Sequence, residues 1–287
     1  MPTARDAVSC YSALCAVGSS VDRQDRHLHM ARPDSSPPPR TLLDPNDPSP
    51  VTVLNAGAAS PFFLVGDHAG RATPASLDDM GLTPEMFDRH IAWDIGVAGL
   101  GERLSRRLNA TFVRQTYSRL VIDCNRRPGA VDSIPTVSDG VAIPANENLS
   151  DGERAQRRAE IFQPYHDRIA SLLEVRRQSG QPTLFVALHS FTPVLQGFQR
   201  PWRYGVLHRG DSALSRHVLA ALIREMGDEA GDNQPYAMDL SDATVTLHAD
   251  PRGLDYLELE VRQDLLSGEA GQDVAATLIA RLLRTFE

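Results

Sequence analysis

The chain has 287 residues, 41% hydrophobic and 23% charged, enough to bury a sizeable core as one large domain or two small ones. Its formal net charge of -8 argues against a broad polyanion-binding face, so nucleic acid is not an expected partner. Three cysteines, Cys10, Cys15 and Cys124, form no C-x-x-C pair and indicate neither a disulfide framework nor a thiolate zinc site, which fits a reducing cytoplasmic setting.

No apolar run approaches the roughly 18 residues needed to cross a bilayer. The mildly apolar "AVSCYSALCAVGSS" has a weak positive flank and no cleavage site, so neither membrane insertion nor export is expected. Residues 1–50 include "RPDSSPPPRTLLDPNDPSP", which lacks apolar periodicity and reads as a disordered leader, with Met30 an alternative start. Residues 51–287 read as a single domain.

From Phe62 onward, short apolar runs alternate with helical patterns, the signature of an α/β layer fold with a largely parallel sheet. The expected strands are "PFFLV", "ATFVRQ", "RLVIDC", "TLFVALHS", "YGVLH" and "YLELEVR". The expected helices are "TPEMFDRHIAWDIGVAGLGERLSRRL", "SDGERAQRRAEIFQPYHDRIASLLEVRRQS", "SALSRHVLAALIREMG" and "GQDVAATLIARLLRTF". Ser150 with Glu153 forms a capping box at the second of these. Between "RLVIDC" and that helix lies a connection of more than 20 residues, a length that marks function or mobility.

In such sheets ligands bind beyond the carboxyl ends of the strands, and four segments place polar residues there: Asp67 and His68, Asp123 to Arg126, His189, and Glu260 with Arg262. Two histidines and a carboxylate are a common set of zinc ligands, which nominates His68 and His189. The expected carboxylate is Asp94, at helical spacing from His90, unless it is an ordinary polar position facing solvent; His90 is the rival ligand or a supporting partner. Ala69 and Gly70 beside His68 are small, as access for a metal, water and substrate would require. Glu258 and Glu260 share one strand face with Arg262, where a glutamate acts as general base or the face is simply an exposed charged edge. Asn125 and Arg126 suit an acidic small-molecule substrate, since a guanidinium fork matches a carboxylate. Arg119 stabilises an oxyanion or makes a surface salt bridge.

The set "DHAGRATP", "HIAWDIG", "VIDCNRRP", "IPTVSDGVAIPANENLS", "ALHSFTP" and "NQPYAMDLSDATVTLHADPRGLDYLELEVRQDLL" resembles the successive motifs of the N-formylglutamate amidohydrolase family over about residues 55–286. The resemblance implies a three-layer α/β/α sandwich with a mixed, mainly parallel sheet, of the zinc carboxypeptidase and aspartoacylase type, holding one catalytic metal. It implies His68 and His189 as metal histidines, Glu260 as the catalytic glutamate, Arg119 at the oxyanion, and Asn125 with Arg126 on the substrate carboxylate. Related enzymes carry H-x-x-E, whereas Arg71 follows His68 at that spacing, so the carboxylate ligand is assigned to Asp94. Ser138, in the loop 127–149 expected to close over the site, and Arg262 complete the expected substrate-binding set.

The function expected is therefore zinc-dependent hydrolysis, with another divalent metal as the alternative, of the N-acyl amide of an acidic amino acid. N-Formyl-L-glutamate, cleaved to L-glutamate and formate in the setting of histidine degradation, is the leading substrate, and the expected state is monomer or homodimer. The alternatives are a non-catalytic metabolite binder and an amidase or carboxypeptidase acting on peptides.

Overall fold

The computed structural model describes residues 41–238 and 242–286. The expected leader falls largely outside the described residues, as do Cys10, Cys15 and Met30. Residues 41–50 belong to the fold, contrary to their composition. Leu42 is buried, the amides of Leu42 and Leu43 donate to the Glu160 carboxylate at 2.9 and 2.8 Å, and Pro48 accepts the Tyr117 hydroxyl at 2.7 Å. These long-range partners substitute for the periodic pattern the segment lacks.

In chain order the elements begin with β1 (Val51–Leu54), β2 (Phe62–Gly66), a short α1 (Pro84–Phe87), α2 (Val97–Leu108) and β3 (Thr111–Gln115). A ribbon of β4 (Val137–Ser138) and β5 (Val141–Ala142) follows, then α3 (Asp151–Arg157), which runs through a π-helical turn into α4 (Gln163–Gln178). Next come β6 (Leu184–Phe191), a second ribbon of β7 (Val194–Leu195) and β8 (Phe198–Gln199), β9 (Tyr204–Leu207), α5 (Ala213–Met226) and β10 (Ala230–Asp232). The chain closes with α6 (Ala243–His248), β11 (Tyr256–Arg262) and α7 (Gly268–Arg284).

The main sheet has the order β1-β3-β2-β6-β11-β9-β10. The central β3, β2, β6 and β11 are mutually parallel, while β1 is antiparallel to β3 and β9 to β11. Strand β2 shows why it sits at the centre: all five residues are buried. Phe62 and Leu64 pack into the core under α2, α5 and α7, and Phe63 and Val65 into the opposite core with α4 and α6. Two-sided burial of this kind explains the unbroken apolar run, at about 1.5–3 kcal/mol for each large side chain removed from water. The result is the expected three-layer α/β/α sandwich.

Two expected elements are corrected. "RLVIDC" is not a strand: Leu120 and Val121 give their carbonyls to the Asn146 and Arg157 side chains, at 2.8 and 3.0 Å, and the Asp123 amide donates to the Ser133 carbonyl. Its backbone groups are satisfied by the long loop and α3 rather than by a sheet ladder. The helix expected over 83–108 divides, with turns replacing it around His90 and Asp94. There the Asp94 amide donates to the His68 carbonyl at 2.9 Å, and the Ala92 carbonyl accepts from Arg119 and Ser118. Gly96, at φ +86°, then starts α2 in a conformation that disfavours a side chain. The capping box of Ser150 and Glu153 forms as expected. Strands β1 and β10 carry too short a pattern to be read from sequence.

Candidate metal centre and active site

Three adjacent parallel strands deliver the central groups. His68 follows the end of β2, and His189 lies near the end of β6 directly opposite Glu260 of β11. Leu257, Leu259 and Val261 fill the core on one face of β11, so Glu258 and Glu260 emerge on the other, the face that also carries His189. Asp94 reaches the same point because its turn hangs from the His68 carbonyl.

These groups converge. His68, Asp94 and His189 are buried, and each offers a ligand atom within 4.8 Å of the others. Both Nδ1 atoms face one carboxylate oxygen: Asp94 Oδ2 lies 2.9 Å from Nδ1 of His189 and 3.4 Å from Nδ1 of His68. Behind them, His68 Nε2 is 2.7 Å from Asp123 Oδ1, and His189 Nε2 is 3.4 Å from Asp67 Oδ2. An imidazole held by a carboxylate at its rear nitrogen is the usual support of a metal ligand, since it fixes tautomer and ring orientation. His68 Nδ1 is buried with no hydrogen-bond partner, which fits a nitrogen that would ligate a cation.

The buried acids of the site fall into two electrostatic groups. Burial opposes the charge on Asp94, yet the two imidazoles outweigh it and hold the carboxyl far below the usual range. Asp123 is likewise lowered, with Arg119 and His68 overcoming the effect of burial. Glu258 and Glu260 go the other way. Burial dominates, against the pull of His189, and pushes them up to about 8 and about 7. A carboxyl poised near neutrality is suited to giving and taking a proton.

The site opens onto a cavity of ≈ 510 Å³ whose walls include His68, Asp94, His189, Glu258 and Glu260 on one side and Arg119, Asn125, Arg126 and Tyr236 on the other. Arg119 is tied to Asp123 Oδ2 at 2.5 Å and lies 3.6 Å from Asp94 Oδ1, an orientation that keeps its guanidinium beside the His68–Asp94–His189 group. Asn125 accepts the Thr244 amide on its side-chain oxygen at 3.0 Å, which leaves its NH₂ to donate elsewhere. Arg126 is anchored by Asp132 at 2.8 Å and Asp242 at 3.0 Å.

Three expectations are corrected by placement. Ser138 does not reach this cavity; it lines a neighbouring one of ≈ 320 Å³ that shares His90, Arg119 and Arg126. Arg262 shares the alternation of Glu260, but its guanidinium turns to Asp264 and to the carbonyls of Arg200, Pro201 and Trp202. It clamps a loop and does not face the cavity. His90 stands at the wall, 3.7 Å from Asp139, outside the His68–Asp94–His189 group. The small residues of "DHAG" also have another cause. Ala69 fills a core position, and a Cβ on Gly70 would lie 2.0 Å from the Thr116 carbonyl oxygen, so close backbone packing demands glycine there.

Sequence reasoning gave no role to Asp67, Asp123, Asp242 or Tyr236, although each stands inside a motif it singled out. Tyr236 sits over Arg200, whose Cζ is 4.9 Å from the ring centroid and whose Nη1 donates to the phenolic oxygen at 3.1 Å. That pairing joins residues 36 apart, with no periodicity to announce it.

The layered α/β domain thus carries a histidine- and acid-lined cavity at the carboxyl ends of its parallel strands, where ligands bind in such sheets. The chain belongs to the N-formylglutamate amidohydrolase family, whose model matches residues 60–267. A gene product of Agrobacterium tumefaciens has a crystal structure 34% identical in sequence, with a TM-score of 0.82 over 85% of this chain and 97% of that one. The N-formylglutamate amidohydrolase of Ralstonia eutropha JMP134 shares the fold at 20% identity and a TM-score of 0.58, over 83% of this chain and all of that one. Among functionally curated proteins none is detectably similar. Among the described residues, no helix is long and apolar enough to cross a membrane.

Proposed function

We propose that the protein is a metal-dependent amidohydrolase that cleaves the N-acyl amide of an acidic amino acid, with N-formyl-L-glutamate, giving L-glutamate and formate, as the leading substrate. The observation that carries this reading is the convergence of His68, Asp94 and His189, with both Nδ1 atoms on one side and the buried Glu260 beside them. Two imidazoles and a carboxylate fit Zn²⁺, and the same donors also accept other divalent metals. Bound there, such a cation supplies Lewis acidity toward the amide carbonyl and lowers the pKa of water.

The chain's own groups do the rest. Glu260 takes the proton of the attacking water on its carboxylate and returns it to the amine nitrogen that leaves. A pKa raised to about 7 by burial suits both transfers. Arg119, held by Asp123 and Asp94, presents a fixed positive charge to the oxygen that becomes negative as the carbonyl is attacked. The free NH₂ of Asn125 and the guanidinium of Arg126 bind a substrate carboxylate. The loop 127–149 lines the neighbouring cavity that shares His90, Arg119 and Arg126, and its Asp139 is tied to Arg89 at 2.6 Å.

The test is metal analysis of the purified protein together with formate release from N-formyl-L-glutamate, repeated with Glu260→Gln. About one equivalent of metal, with activity lost in the variant, is expected. Absence of bound metal and of hydrolysis across a panel of N-acyl amino acids would overturn the reading in favour of a metabolite binder.

A further inference from the structure

We propose that Asp67 is a positioning residue for His189: its carboxylate, fixed from behind by Tyr165 and Thr244, receives the Nε2–H of His189 and so turns Nδ1 toward the metal point. This rests on the reading of His68, Asp94 and His189 as metal ligands.

An imidazole that ligates through Nδ1 carries its proton on Nε2, and that proton needs an acceptor in a dry interior. His68 has Asp123 at 2.7 Å. For His189 two acids lie behind the ring, Asp67 Oδ2 at 3.4 Å and Glu258 Oε1 at 4.0 Å. Asp67 is only 1% exposed, and its Oδ1 accepts both the Tyr165 hydroxyl and the Thr244 hydroxyl at 2.8 Å. Two donors on one oxygen stabilise the ionised carboxylate and fix its plane, leaving Oδ2 aimed at the imidazole. Asp67 Oδ2 and His189 Nε2 have no other hydrogen-bond partner, so a buried acceptor and a buried donor face each other unclaimed. Glu258 is the poorer acceptor: it lies farther away, and its Oε2 has no donor to support a charge.

The arrangement also couples two parts of the site. Thr244 gives its hydroxyl to Asp67 and its amide to Asn125 Oδ1, so a single residue of α6 braces both the metal side and the substrate side. Asp67 is one residue before His68 in the chain yet serves the other histidine, because the chain turns sharply where β2 ends.

The experiment measures Zn²⁺ affinity by competition with a chromogenic chelator for the wild type, Asp67→Asn, Asp67→Ala, Tyr165→Phe and His189→Ala, with far-ultraviolet circular dichroism to establish folding. Asp67→Ala is expected to weaken Zn²⁺ binding about 10- to 100-fold, the range typical of residues that orient metal ligands. Asp67→Asn, whose amide oxygen still accepts, should weaken it less, and Tyr165→Phe less again, which keeps the idea testable should Asp67→Ala fail to fold. Long-range ¹H–¹⁵N spectra of the Zn²⁺-loaded wild type should show His189 protonated at Nε2. Wild-type affinity in every folded Asp67 and Tyr165 variant, or an Nε2 without its proton, overturns this inference alone. Failure of the wild type to bind Zn²⁺ any better than His189→Ala overturns the metal-site reading, and this proposal with it.

Discussion

Arg157 offers a demanding test of how the site is supported. It is 1% exposed at the end of α3, and Nη1 donates to the Val121 carbonyl at 3.0 Å and to Asn146 Oδ1 at 2.6 Å, while Nη2 donates to the Ala145 carbonyl at 2.9 Å. Val121 precedes the long loop while Ala145 and Asn146 lie near its far end, and Val121 is two residues from Asp123, which holds both His68 and Arg119. Replacement by Met keeps an unbranched apolar stem but removes all three hydrogen bonds. Bonds from a charged donor contribute about 1.5–3 kcal/mol each, so the gross loss is about 4.5–9 kcal/mol. Against this, burial pushes the guanidinium down to about 10, a cost of about 3 kcal/mol that the variant no longer bears. Hydrogen bonding wins, and a net loss of about 3 kcal/mol is expected, or about 6–12 °C in Tm for a domain of this size. Thermal melts followed by circular dichroism, with urea unfolding at 25 °C, measure it directly. A Tm within about 2 °C of the wild type would show that the loop is held by other contacts and refute the reasoning.

Glu260→Gln should lower kcat/KM about 10²–10⁴-fold while leaving Tm equal or higher at pH 8, because the amide removes a carboxyl that burial disfavours in its charged form; a drop in Tm comparable to that of Arg157→Met would recast Glu260 as structural. Extended dialysis against a strong chelator is expected to abolish hydrolysis, with Zn²⁺ restoring it in the wild type and not in Asp94→Asn; full activity in chelated enzyme would exclude a metal role. Acid should weaken the fold through His248, whose Nε2–H donates at 2.9 Å to His166, itself donating to the Cys124 carbonyl at 2.9 Å. Burial, followed by the neighbouring His166, pushes His248 down to about 3 from an ordinary 6.5, so the unfolded chain binds a proton that the folded chain refuses. Its contribution is complete above pH 6.5 and is lost as pH falls toward 3, by about 2 kcal/mol at pH 5; urea midpoints for His248→Gln that fall as steeply as the wild type between pH 6.5 and 5 would contradict this. Tyr236→Phe is expected to raise KM about tenfold or less with little change in Tm, since the phenol lines the cavity and its oxygen already accepts from Arg200; an unchanged KM would remove Tyr236 from substrate contact.

Much of this protein was legible in one dimension. The alternation of short apolar runs with helical patterns determined the layered α/β class, because β2 and the first half of β6 are buried on both faces and a continuous apolar run suits that environment. His68, His189, Glu260 and Asn125 stood out for a related reason: each is a polar residue at or beside the end of an apolar run, where losing hydration is costly unless a site requires the group. Asp94 was named from a helical spacing that does not exist, and it lies beside His68 because its backbone amide bonds the His68 carbonyl. What the tertiary structure alone decided is which polar groups face one another. "RLVIDC" reads as a strand until Asn146 and Arg157 take its carbonyls, and Arg262 shares the periodicity of Glu260 until Asp264 and three loop carbonyls draw its guanidinium away. Periodicity records which face of an element is buried; the partners that fix a side chain's direction arrive from dozens of residues away, and only the folded chain specifies them.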